Sequence, residues 1–398
     1  MSDHLASSSP HTFSPPPPAL NHRLGQVGRS VYSSLKSRLK NFTQETYPLH
    51  VGDTYLPPAV NFDQIPTDQN LHRYTEVRAY KPFLYQICDH LSSIQNRVVE
   101  TDEVLVTGGG TGGITALLQT LLSPGDQIML LAPYWPLVAG AARLAGATPL
   151  VVPYFQTQRS IEEQIAHLDS VWQKEVKALY INTPNNPTGE VLDHAHLKAL
   201  VTWARQKNIW IISDEVYDLY NYCGEHTYVY PMAPERVIAV YSMSKAFGMA
   251  GFRCGFLQGN ADVLAEVERV TTHTLYSTPT ASQWAGMQAL KGNGLAWAKH
   301  ASHLYQKVAT EVAEILQVTV PQGSTFLFID LSQELTHQPR YAEHGLQALL
   351  SDCVDHGLLI APGSAFGPYP QHIRLCFTAV DPERTVRGCK ILAQILGR

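Results

Sequence analysis

From about residue 100 the chain alternates short apolar runs with helix-length stretches, and this alternation limits its fold more than any other feature. "DEVLVTG", "DQIMLLAP", "TPLVVPY", "VKALYINTP", "NIWIISDE", "RVIAVYS" and "GFLQG" read as buried strands, with "TGGITALLQTLL", "PLVAGAARLAG" and "DHAHLKALVTWARQKN" as helices between them. Strand, helix, strand in regular order predicts an α/β domain with a mainly parallel central sheet. Ligands of such sheets gather at the carboxyl ends of the strands. After about residue 290 a long helical stretch, "STFLFIDL", "GLLIAPG", "HIRLCFT" and a closing helix read as a smaller α+β domain. The expected organisation is a disordered Ser/Pro-rich leader over 1–20, an N-terminal arm over 21–70 that adds to the small domain, a large ligand-binding domain over 71–290, and the small domain over 291–398.

A formal net charge of −5 gives no electrostatic case for nucleic acid, which calls for a strongly basic face. The six cysteines stand far apart with no CxxC pair and no zinc-type spacing, so a reducing compartment and no metal are expected. No run approaches the length and apolarity of a membrane helix, and the expected location is the cytoplasm. Residues 4–44 hold no acidic residue and much Ser, a composition that overlaps with organelle transit peptides. The reading taken is a disordered leader to about Pro18 followed by a basic amphipathic helix packed on the body.

Unusual polar residues fall at the ends of successive strands, where they would converge. "VTGGGTGGI" (106–114) ends a strand and opens a helix, a setting that suits a phosphate as well as a tight turn; it matches neither the dinucleotide fingerprint nor a P-loop. "APYWP" (132–136) sets Tyr134 and Trp135 where an aromatic face stacks on a planar ligand or simply covers the domain. "NTPNNPTGE" (182–190) is a rigid turn that offers Asn186 as a donor to a phenolic oxygen. "SDEVYDLY" (213–220) puts Asp214 at a strand terminus, where a carboxylate needs a positive partner such as a protonated ring nitrogen, with Tyr217 three residues on.

"SMSKAFGMAGFRCGF" (242–256) places Lys245 beyond another strand, between Ser244 and small residues. A lysine held away from water loses basicity and becomes a nucleophile toward carbonyls. Ser242, Ser244 and Arg253 are positioned to grip a phosphate. "HIRLCF" (372–377) sets Arg374 among apolar residues, where it wants a bidentate carboxylate, a phosphate or a structural salt bridge.

In order and spacing, these stretches together with "GSTFLF" and "APGSAFG" resemble the class I/II aminotransferases, pyridoxal 5′-phosphate (PLP) enzymes of fold type I, across roughly residues 47–390. The resemblance implies that Lys245 is the Schiff-base lysine, holding PLP as an internal aldimine and moving the proton between Cα and C4′. It implies that Asp214 pairs with the pyridinium nitrogen, that Asn186 and Tyr217 bond the phenolic oxygen, and that Trp135 stacks on the ring. It assigns the phosphate to the Gly110 and Thr111 amides, Ser242, Ser244 and Arg253, and the substrate α-carboxylate to Arg374. Gly52, in "LHVGDTYLPP", resembles the glycine at which the N-terminal segment closes over the substrate. Tyr74, in "HRYTE", and the "LYSTP" stretch (275–279) would reach the neighbouring subunit's site, which implies a homodimer with shared active sites. Two departures stand out: the glycine run at 108–110, and "TEVRAYKPFLYQI" after Tyr74.

The activity implied is transfer of an α-amino group from an L-amino acid to a 2-oxo acid through pyridoxamine phosphate. A PLP-dependent lyase or oxidase of specialised metabolism shares the same deprotonation at Cα and is the alternative. A PLP-binding regulatory module would need a DNA-binding domain that the leader is too short to supply, and a nucleotide-binding protein built on "GGGTGG" leaves Lys245, Asp214 and Arg374 unexplained. His273 stands in "VTTHTLYS" where dicarboxylate-specific relatives carry an arginine, which leans away from aspartate as donor. Tyr55, Trp135 and Phe366 suit an apolar or aromatic side chain.

Overall fold

A computed structural model of the chain describes residues 42–61, 71–341 and 343–398, with positions 25 and 27. The expected leader over 1–20 and the basic helix after it lie outside the described residues, apart from those two positions. In chain order the elements that position the site are β1 (Tyr47–Pro48), α1 (Lys81–Gln95), β2 (Val104–Thr107), α2 (Gly109–Leu121), β3 (Gln127–Ala132), α3 (Pro136–Leu144) and β4 (Thr148–Pro153). They continue as α4 (Ile161–Val171), β5 (Val176–Asn182), α5 (His194–Lys207), β6 (Trp210–Asp214), β7 (Val237–Ser242), the one-turn α6 (Met243–Ala246) and β8 (Gly255–Gln258). The rest are α7 (Ala261–Thr274), α8 (Thr280–Lys291), α9 (Gly294–Leu316), β9 (Phe326–Asp330), α10 (Ser332–His337), α11 (Gly345–Asp355), β10 (Leu358–Leu359), β11 (Ala361–Pro362), β12 (His372–Cys376) and α12 (Pro382–Leu396).

Seven strands form one sheet in the order β2-β8-β7-β6-β5-β3-β4, with β8 antiparallel to both neighbours and parallel pairing from β7 to β4. The expected α/β architecture with a mainly parallel sheet is what the chain adopts. The inner strands are largely apolar and buried, as expected where helices pack on a parallel sheet; in β5 Lys177 alone is exposed, whereas the edge strand β4 is only partly covered. The helices start where local chemistry says they should. Ser160 Oγ accepts the Glu163 amide (3.2 Å) while the Glu163 carboxylate accepts the Ser160 amide (2.8 Å), a reciprocal cap that begins α4.

The C-terminal part builds a three-stranded antiparallel sheet, β11-β12-β9, beside α9 and α12, which pack together around a separate apolar cluster. The early segment joins this part, because β1 pairs in parallel with β10. Among the described residues no helix is long and apolar enough to cross a membrane, and all six cysteines are free thiols.

The glycine run in α2 has a steric reason. A Cβ on Gly109, whose φ is +76°, would lie 2.9 Å from Arg253 Nη2, and one on Gly113 would lie 3.0 Å from Leu257 Cδ2. The run therefore lets the first turn of α2 press onto the sheet and onto Arg253. Gly255, opposite, tolerates no side chain either, since its Cβ would meet the Tyr241 carbonyl at 2.5 Å.

Candidate active site

The carboxyl ends of β3, β5, β6 and β7 and the first turn of α2 enclose a cavity of about 190 Å³. Gly110, Thr111, Trp135, Asn186, Asp214, Tyr217, Ser242, Ser244, Lys245 and Arg253, all singled out in the sequence, line it. Four different strand ends thus deliver one set of polar groups, as the topology rule for such sheets requires.

Lys245 sits on the turn α6 that directly continues β7. Its Nζ donates to the Gly52 carbonyl, and Gly52 itself is pinned, since a Cβ there would lie 2.6 Å from Phe326 Cζ. Desolvation lowers the Lys245 pKa below its ordinary value; the Cys376 thiol and Asp53 oppose the shift, and the Arg374 and Arg253 guanidinium groups add to it. The structure thus holds an ammonium that gives up its proton more readily than a surface lysine.

Asp214 ends β6 and is 4% exposed. Burial pushes its carboxyl up to about 6, against hydrogen bonds from the Tyr180 hydroxyl and the Val216 amide that favour the anion, with Glu215 adding to the rise. Tyr180 Oη reaches Oδ2 at 2.5 Å and the Val216 amide approaches Oδ1 at 3.4 Å. Tyr217, buried edge-on to Phe326, has its phenol pushed far up by burial.

Asn186 and Arg374 form one unit. Arg374 Nη1 donates to Asn186 Oδ1 (3.1 Å) and Nη2 to the His50 carbonyl (2.5 Å), while the guanidinium lies 4.2 Å from the Phe326 ring centre and 4.7 Å from that of Phe366. Two aromatic faces fix the plane of the group and leave its edge as the hydrogen-bonding face. On the opposite side of the cavity Ser242 Oγ accepts the Ser244 amide (3.2 Å) and Ser244 Oγ accepts from Arg253 Nη1 (3.4 Å). Arg253, held at φ +52°, makes no ion pair with a carboxylate among the described residues, although it lines the cavity. A guanidinium in that position favours an anion.

Tyr74 is not in the cavity. It is 85% exposed and meets Tyr276 of the "LYSTP" stretch edge-on, with ring centres 5.1 Å apart. His273 is exposed near the end of α7, and Tyr55 packs on Tyr305. Two site residues escaped the sequence reading. Asn182 accepts the Asn186 amide (2.7 Å) and donates to the Asp214 carbonyl (2.9 Å), tying the 182–190 turn to β6. Tyr180 is the other, and the signal for both was the two-residue period of β5, which puts 180 and 182 on the side of the sheet that carries Asp214.

The set fits PLP on its own chemistry: a buried carboxylate for a ring nitrogen, an amine of lowered pKa for an aldehyde, and, beside a helix N-terminus, a guanidinium that pairs with no carboxylate among the described residues for a phosphate. The statistical model of the family described as aminotransferase class I and II matches residues 41–392. A probable aspartate/prephenate aminotransferase of Thermus aquaticus is 31% identical over 305 residues, covering 75% of this chain and 77% of that protein. An arginine–pyruvate transaminase of Pseudomonas aeruginosa is 27% identical over 345 residues, covering 83% and 85%. The crystal structure of an aspartate aminotransferase of Thermotoga maritima superposes with a TM-score of 0.80 at 25% identity, covering 95% of this chain and 100% of that one.

Proposed function

The chain belongs to the family of class I and II aminotransferases, and on that premise we propose how its site moves an α-amino group from an L-amino acid to a 2-oxo acid. PLP, when bound, supplies the electron sink that lets the Cα–H bond of an amino acid break. Everything else is done by this chain. Arg253, Ser242, Ser244 and the Gly110 and Thr111 amides, which line the cavity, would bind the phosphate at the N-terminus of α2. Trp135 would cover the ring, Asn186 and Tyr217 would hold the phenolic oxygen, and Asp214 would keep the ring-nitrogen proton in place. Arg374 clamps the substrate α-carboxylate and so orients its Cα toward Lys245. Lys245 Nζ, whose pKa desolvation lowers, would take the Cα proton of the substrate and deliver it to the cofactor's C4′.

The convergence of Lys245, Asp214, Asn186 and Arg253 on one cavity at the sheet's carboxyl edge is the observation that supports this mechanism. The test is the visible absorption of the purified holoenzyme before and after single amino acids are added without any 2-oxo acid. Conversion to the pyridoxamine form with release of the matching 2-oxo acid names the donor. Ammonia released over many turnovers would overturn transamination. The relatives' names span aspartate, prephenate and arginine, and the panel should span the same range.

The protein is further read as a cytosolic homodimer with shared sites. Exposed Tyr74, Tyr276 and Leu275 form one patch beside the start of α2, where a Cβ on Gly108 would lie 2.9 Å from Leu275 Cδ2. A monomeric mass in sedimentation at micromolar concentration would sink that assignment.

Asp214 also ties stability to pH. A carboxyl whose folded value is raised to about 6 favours folding fully below its unfolded value of 3.8, and this contribution is lost as the pH rises through about 6. Asp214→Asn has nothing to ionise. Denaturant titration of the two apoproteins is therefore expected to show the variant more stable by roughly 3 kcal/mol at pH 8, with the gap closing toward pH 4. Equal stability at both pH values would refute the assignment of a strained buried anion.

A further inference from the structure

Asp214 is held by a second buried side chain whose position does not follow from the cofactor's needs alone. In the parallel pairing of β5 with β6, Asn182 lies opposite Asp214 and Tyr180 opposite Ile212, so Tyr180 is the diagonal neighbour of Asp214 on the same side of the sheet. A diagonal pair lies about 7–8 Å apart, a span that an aromatic side chain bridges and a shorter one does not. Tyr180 is 1% exposed and packs among Ile128, Leu130, Ile212, Val240 and Leu257. A tyrosyl hydroxyl sunk that deeply needs a polar partner, and here it is the carboxylate at 2.5 Å.

We propose that Tyr180 is a positioning residue of the active site: through Oδ2 it fixes the rotamer and the anionic form of Asp214, leaving Oδ1 to meet the cofactor's ring nitrogen. The inference rests on the PLP reading of the cavity. Among the described residues the titratable groups that face Asp214 are Tyr180 from β5, Glu215 next to it in the chain and Tyr217 beyond the end of β6, with Lys245 and Arg253 lining the same cavity. Of these, Glu215 opposes the anion and Tyr180 donates to it. Oδ1 has in its neighbourhood the long contact from Val216, which orients it weakly. The arrangement resembles the outer-shell partner of a metal ligand, in which one hydrogen bond turns a flexible acceptor into an aimed one.

The test uses Tyr180→Phe, which keeps the ring packing and deletes the donor, and starts with the apoprotein so that it needs no cofactor. Infrared difference titration with isotope-labelled aspartate, assigned through Asp214→Asn, should show the Asp214 carboxyl midpoint rising by about one to two pH units in the variant. PLP affinity near neutral pH should fall about 10- to 100-fold in the same variant. In an Asp214→Asn background Tyr180→Phe should change PLP affinity little, because the hydroxyl acts through the carboxylate. An unmoved midpoint, or the same loss of affinity in both backgrounds, overturns the proposal and leaves Tyr180 a packing residue. A shifted midpoint in a protein that binds no PLP would instead uphold the Tyr180–Asp214 link and sink the cofactor reading. The double-variant comparison stays decisive even where the single variant folds poorly, since packing defects would persist in both backgrounds.

Discussion

Lys245→Ala is expected to abolish multiple turnover, lowering the rate of amino-group transfer by about 10³–10⁴-fold or more, while leaving the fold intact. The magnitude follows from the proposed roles of Lys245, since its removal would take away in one step both the amine that would hold the cofactor and the base that would move the Cα proton, where acid–base catalysis alone contributes about 10²–10⁴. No other group in the cavity can take over the proton. Asp214 is hydrogen-bonded to Tyr180 and, on the proposed reading, would be engaged by the ring nitrogen; Tyr217 has its phenol pushed far above the working range, and the Arg253 guanidinium stays protonated. The fold should survive because Lys245 Nζ makes its hydrogen bond to the Gly52 carbonyl, and truncation at Cβ relieves a desolvated amine. The measurement is steady-state turnover beside PLP binding by absorbance. A variant that still completes many turnovers would show that another residue is the base. Added small primary amines should restore part of the rate if the loss is chemical.

Much of this site could be read from strand ends. "NIWIISDE" and "RVIAVYS" each announce a buried strand whose apolar run gives way to polar residues, and the Asp214 and Ser242 found there do end β6 and β7. The order of the strands in the sheet does not follow from their order in the chain, so nothing in "KALYIN" alone said that β5 lies beside β6 and brings Tyr180 to Asp214. Tyr180 looked like ordinary core because its ring is ordinary core; its function lies in one hydroxyl that only the register reveals. The glycine run at 106–114 was legible as a place where a helix opens, but not as a packing surface for Arg253, which lies far later in the chain, just before β8. Tyr74 marks the opposite limit. A role across an interface depends on a second chain, and in a single chain the residue stands at the surface against Tyr276.

Arg374→Ala carries the second large effect, and it separates binding from chemistry. The guanidinium is oriented between Phe326 and Phe366 and hydrogen-bonded to Asn186 and the His50 carbonyl, so its geometry is set before any substrate arrives. Losing a bidentate, charge-assisted contact to a carboxylate costs about 3–5 kcal/mol, which corresponds to about 10²–10³-fold or more in kcat/KM, carried mainly by KM for the amino donor. PLP affinity should change far less, because Arg374 does not itself line the cavity and reaches it through Asn186, while on the proposed reading the phosphate would be gripped from the α2 side. The pH profile should move as well. Arg374 is one of the charges that lower the Lys245 pKa, so its removal lets Lys245 hold a proton to higher pH. In the proposed mechanism the neutral amine is the active form, so the acidic limb of the profile is expected to shift toward higher pH in Arg374→Ala, and to shift little in Arg374→Lys, which keeps the charge but loses the two-point clamp. Unchanged apparent affinity for amino acids in Arg374→Ala would remove Arg374 from the carboxylate site. A raised KM with an unmoved profile would keep the clamp and discard the electrostatic link to Lys245.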